Sequence, residues 1–285
     1  MINLFDNQLN EVSIAWLLLS SLIGGIIGAS IKFIFDYLLP ENLKSRKEVL
    51  EIKTKYAVPI FYSAVELRKR LDNILKLIKI IEKGNGWLNK EDPDDYYFLS
   101  TIYITAQFFG WTQILRRTVV YLDLSSTSET KAFSYGLDAI ISSFSNPALM
   151  EEKPATDPHN TEDKWVYSIW LQAIGDQMIK KEGSEYSVLN FAEFCGKLRD
   201  TKNKDFHKWM KPLIDFYDDL KSNQIRFRRI AAIHAIVNSF IELNDPKFLR
   251  NKKWVYYWNV LLSSERTKII ELIKSFNPKF KLVEE

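Results

Sequence analysis

The chain has 285 residues, 46% hydrophobic and 26% charged, so it can bury a real core and is too apolar for intrinsic disorder. Its 10 glycines and 9 prolines are few for this length, which argues against a turn-rich β-sandwich or barrel and for long elements. A net charge of +3 makes no electrostatic case for nucleic acid.

From Ile14 to Ile31 the chain carries no charge, and the apolar pattern continues through Phe33, Ile34 and Phe35 around Lys32. A helix over this stretch reaches roughly 30 Å, the hydrocarbon thickness of a bilayer. Trp16 and Tyr37 fall where amphipathic rings favour the headgroup zone. A buried core helix of this length would need a polar face, and a cleavable signal would need a basic start and a small-x-small site; neither pattern is present in convincing form. The reading is a transmembrane helix over 13–38 after a short extracytoplasmic tail, 1–12. Lys and Arg are missing before the span, whereas Lys44, Arg46 and Lys47 follow it, which places the N-terminus outside and the remainder in the cytoplasm. These three cations are expected to meet anionic lipid.

Within the span, Ser20, Gly24 and Gly28 recur every fourth residue, as do Ser21, Gly25 and Ala29. Two such rows let helix backbones approach closely in lipid and predict self-association or a partner helix.

Pro40 ends this region, and apolar positions at threes and fours predict a long juxtamembrane helix over 41–83, kinked at Pro59 and ended by Gly84-Asn85-Gly86. The remainder, 84–285, reads as a multi-helix cytoplasmic domain, so the fold class is all-α. Asp92-Pro93-Asp94 offers a cap and a helix-start proline before Tyr96–Leu122, and Ser128–Ser145 follows, ended by Asn146-Pro147. The proline-rich stretch 146–163 reads as an exposed loop that could separate two subdomains. Helical spacing then covers Trp165–Lys181, Ser187–Arg199, Asp205–Lys221, Ile225–Leu243 and Ser263–Phe276, with Val255–Trp258 as a candidate strand.

The sequence is poor in the signatures of catalysis. It lacks GxGxxG, GxxxxGK[ST], GxSxG and HExxH, its three histidines are scattered, and no zinc framework is present, so neither metal nor cofactor is expected. The single cysteine, Cys195, fits a reducing compartment and a small core hydrophobe. Clustered carboxylates such as Asp215, Asp218 and Asp219 read as solvated faces or caps. Arg116 and Arg117 interrupt an apolar run and must find a carboxylate, such as Asp123, Asp176 or Glu193, or an anion, or lie exposed. The tryptophans are not interleaved with a basic patch, which argues against a nucleic-acid stacking platform.

One spacing does suggest chemistry. Arg228 and Arg229 precede His234 by six and five positions in a helical pattern. This resembles the Arg-x4-6-His motif of the HEPN ribonucleases, helical proteins that commonly dimerise around an RNA-cleaving site. The resemblance implies proton transfer by His234 and charge stabilisation by an arginine. The main expectation remains a membrane-anchored binding, scaffold or sensor module without chemistry, with lipid and a protein partner as its contacts; the tethered ribonuclease is the alternative.

Overall fold

The structure, a computed structural model, describes residues 53–81, 95–118, 128–150, 165–183, 185–218, 220, 224–246 and 257–281. The chain divides into two units between Lys55 and Tyr56, and the second unit holds nearly all of these residues. The segment 13–38 expected to span the membrane, with Ser20, Ser21, Gly24, Gly25, Gly28 and Ala29, and the basic group Lys44, Arg46 and Lys47 lie outside the described residues. No described helix is long and apolar enough to cross a membrane.

The described part is mostly helical, with eight α-helices and few strands, which places it in the all-α class. In chain order these are α1 (Val58–Ile81), α2 (Tyr96–Thr118), α3 (Ser128–Ser145), α4 (Ser168–Met178), α5 (Phe191–Arg199), α6 (Lys204–Asp218), α7 (Gln224–Asn244) and α8 (Ser263–Phe276). Between α4 and α5 the strands β1 (Ile179–Glu182) and β2 (Glu185–Val188) form an antiparallel hairpin, pairing Ile179 with Val188 and Glu182 with Glu185.

Two helices form the core because they are apolar on nearly every side. Helix α2 buries Phe98, Ile102, Ala106, Phe108, Phe109 and Ile114, and α7 is buried continuously from Arg229 to Ile241. Helix α4 packs against α2 more extensively than any other described pair of elements. Helices α1 and α3 flank α7, and α8 closes over α3 and α7. Helix α6 is strictly two-faced: Phe206, Met210, Leu213, Phe216 and Tyr217 point inward while Lys204, Lys208 and Lys211 face water. The wholly buried Tyr217 hydroxyl meets Thr105 Oγ1 on α2 at 2.9 Å, so this aromatic brings no unpaired group inside.

Several local expectations need correcting. The helix over 41–83 starts, among the described residues, as a π-turn at Lys53–Ala57. Pro59 follows directly as the second residue of α1, so the departure from α geometry lies next to the proline. The helices expected over Trp165–Lys181 and Ser187–Arg199 are shorter, because 179–188 forms the hairpin. Gly183, at φ +65°, supplies the left-handed turn residue, and Leu189 N donates to Met178 O at 2.8 Å to close the hairpin's base. The expected loop at 146–163 begins as a 3₁₀ turn, Pro147–Met150, whose Leu149 and Met150 are buried. This stretch does not separate subdomains, since α2 packs on α4, and α3 on α7 and α8, across it. The candidate strand at Val255–Trp258 is a 3₁₀ turn over Trp258–Val260 where the structure describes it.

Candidate functional site

The most concentrated set of buried polar groups lies on the seam between α1 and α7. Arg68, Asp72 and Lys76 recur every four residues along α1, and His234 and Asn238 do so on α7, so each set forms a row along one helix face. The helices cross antiparallel: Arg68 meets Asn238, and Asp72 meets His234. Tyr257, just before the 3₁₀ turn, enters from the side and stacks edge-on against the His234 ring at 5.3 Å.

Donor chemistry fixes the direction of every bond. Arg68 Nε donates to Asn238 Oδ1 at 2.9 Å, and because arginine accepts nothing, the amide oxygen must face it. The Asn238 amide NH₂ is thereby turned to His234 Nδ1, 3.4 Å away, which accepts. The ring proton then sits on Nε2, aimed at Asp72 Oδ1 from 4.0 Å, beyond hydrogen-bond reach. His234 Nε2 has no hydrogen-bond partner among the described residues. Asp72 itself is well supplied, receiving the Tyr257 hydroxyl at 2.7 Å and Lys76 Nζ at 2.6 Å.

Burial and charge set the protonation states. His234 is fully enclosed, and burial drives its pKa down to about 3 against the pull of the Asp72 carboxylate. Burial works against the charge on Asp72, yet hydrogen bonds from Lys76 and Tyr257 outweigh it and hold that carboxyl below its ordinary range. Burial, reinforced by Asp72, raises the Tyr257 hydroxyl. At neutral pH the set is a neutral imidazole beside a carboxylate. Tyr257→Phe should cost about 1.5–3 kcal/mol, the worth of a hydrogen bond to a charged group, in a denaturant titration; a loss within 0.5 kcal/mol, roughly the surface-substitution range, would count against it.

The residues singled out by their spacing do not converge. At about 100° per residue, Arg228 and Arg229 lie roughly 120° and 140° around the helix from His234. Arg228 Nε donates to both carboxylate oxygens of the fully buried Glu265 at 3.0 Å. Arg229, also fully buried, donates Nη1 to the carbonyls of Ser143 and Asn146, each at 3.0 Å, and so caps the end of α3. His234 is 0% exposed, in the core and not at its edge. An arginine set beside a substrate-reaching histidine, which the HEPN resemblance implies, is not what these side chains form.

Arg116 and Arg117 find carboxylates, Asp138 at 3.3 Å and Asp176 at 2.8 Å, so the ion-pair reading describes both better than an anion site. Arg116 also edges a small hollow with Thr112, Gln113, Ser168 and Gln172, with room for little more than a water molecule. Asp95 caps α2 by accepting from Tyr97 N and Phe98 N. Asp215 pairs with Lys211. Cys195 is a buried free thiol whose pKa burial raises. Among the described residues no group of three or more His, Cys, Asp or Glu side chains could hold a metal.

Sequence reasoning missed Asp72, Tyr257, Asn238, Arg68 and Lys76. The available signal was polar residues four apart inside otherwise apolar helical runs, His234 and Asn238 in IAAIHAIVNSFI above all.

Fold and seam together define a helical domain whose inward-facing charged and polar groups are largely committed to one another. Comparison with protein-family models, with curated proteins and with solved structures finds no match for this chain.

Proposed function

We propose that this chain is a membrane-anchored helical module that acts at the cytoplasmic face by binding and assembly, not by chemistry. The observation that carries the reading is the uncharged run Ile14–Ile31 with Lys and Arg only on its C-terminal side. The use of Arg228, Arg229 and His234 inside the domain supports it, because each group a ribonuclease would turn toward substrate is engaged with, or enclosed by, the protein itself. A tethered domain of this kind raises the local concentration of whatever it holds, and the rows Ser20-Gly24-Gly28 and Ser21-Gly25-Ala29 would allow it to pair with a second copy or a partner helix.

After gentle lysis without detergent, the full chain should sediment with membranes on ultracentrifugation and stay there through an alkaline wash. Crosslinking in those membranes should give a dimer or a larger adduct that Gly24→Leu with Gly28→Leu removes. A chain that remains in the supernatant would overturn the anchor, and an adduct unaffected by the double substitution would overturn the helix-packing role.

A further inference from the structure

The α1–α7 seam is wired for one protonation state. Arg68 holds the Asn238 oxygen, so the Asn238 amide offers only N–H to His234 Nδ1. A second proton on the ring would set two donors face to face, and flipping the amide would turn its NH₂ onto the Arg68 N–H. On the other side, Nε2 stands 4.0 Å from Asp72, whose oxygens already hold Tyr257 and Lys76. The charges acting on His234 are Asp72, Arg68 and Lys76, all from α1. Tyr257 flanks the ring from the 3₁₀ turn. The charged groups joining α7 to the remaining neighbours are Arg226, which donates to the Asp215 carbonyl of α6, Arg228, held by Glu265 of α8, and Arg229, held by carbonyls at the end of α3. All three lie more than a helical turn from His234.

We infer that this seam is a proton-operated latch, closed while His234 is neutral and opened, by withdrawal of α1 from α7, when His234 takes a proton. In the open arrangement water reaches the imidazole and it titrates as an ordinary histidine. His234 is depressed in the closed state, so the stabilisation it brings is complete above an ordinary histidine's pKa and is lost as pH falls below it. With an open-state pKa of about 6.5, the opening equilibrium at about pH 5.5 exceeds that at about pH 7.5 by roughly tenfold.

The test is hydrogen–deuterium exchange on the full chain in detergent at those two pH values, corrected for intrinsic exchange rates. Peptides covering Arg68–Lys76 and Ile230–Ile241 should lose about tenfold protection at the lower pH while α2 and α4 keep theirs. His234→Gln leaves nothing to titrate, and Asn238→Asp supplies an acceptor for the second ring proton; in each, the seam should stay protected at both pH values. Asn238→Asp carries the test if His234→Gln does not fold. Equal wild-type protection at the two pH values, loss spread evenly over α2 and α4, or loss that persists in a folded variant would overturn the latch.

Discussion

Replacing Glu265 with alanine is expected to destabilise the domain by about 3–5 kcal/mol, the loss typical of removing one partner from a buried ion pair. Glu265 is fully buried in the first turn of α8, where it serves two elements at once. Its carboxylate takes Arg228 Nε on both oxygens at 3.0 Å and accepts from Leu262 N at 3.0 Å, fixing the start of α8. Alanine would leave the Arg228 guanidinium, 17% exposed, facing a void, and would free an N–H at the helix start. Glu265→Gln keeps an oxygen for Leu262 N but not the charge, and should lose about half as much. The pair Arg228→Met with Glu265→Met removes both charges and should be less harmful than Glu265→Ala alone. Urea denaturation in detergent gives these differences. A Glu265→Ala protein within about 1 kcal/mol of wild type would mean that the contact is worth no more than a surface ion pair.

Gly175→Leu should cost about 3 kcal/mol, the upper end of what overpacking usually takes. A β-carbon at Gly175 would stand 2.6 Å from the Phe109 carbonyl oxygen and 2.6 Å from Gln113 Cγ. The first of these is backbone, so α4 would have to withdraw from α2 along the most extensive helix contact described. Gly110 makes the reciprocal approach, since its β-carbon would lie 2.9 Å from Met178 Cβ and 2.9 Å from Val188 Cγ1. Gly175→Ala should do less damage, because better helix propensity returns up to about 1 kcal/mol. Gly196→Ala on α5 is the control: nothing lies within 4 Å of its β-carbon, so propensity alone should make the protein slightly more stable. Loss of stability in the control, or none at Gly175→Leu, would contradict this account of the packing.

Part of the fold is legible in the sequence and part is not. The spans Ser128–Ser145 and Ser263–Phe276 agree to the residue with the expected helices, because each opens on serine and stops at an Asn-Pro pair. The hairpin was not legible through periodicity: its strands are four residues each, and Lys180, Lys181 and Glu182 are good helix formers. Its signals were local, namely Gly183 and the capping box in which Asn190 Oδ1 accepts from Glu193 N and Glu193 Oε2 from Asn190 N. In the seam, spacing could join His234 to Asn238 on one helix, but not to the residues they meet on other elements. Arg68 and Asn238 lie 170 positions apart, and Tyr257 and Asp72 185, so no spacing rule joins them. The arginines nearest His234 in sequence point elsewhere, because five or six residues carry a helix face well away from its starting direction.

The packing of α3 against α7 and α8, and of α2 against α4, has a consequence for the stretch 151–164 that joins them in sequence. A backbone break there would not yield two independent fragments. Each half buries much of its apolar surface on the other, and Arg229 of the second half grips Ser143 and Asn146 of the first, so the nicked halves would remain one particle.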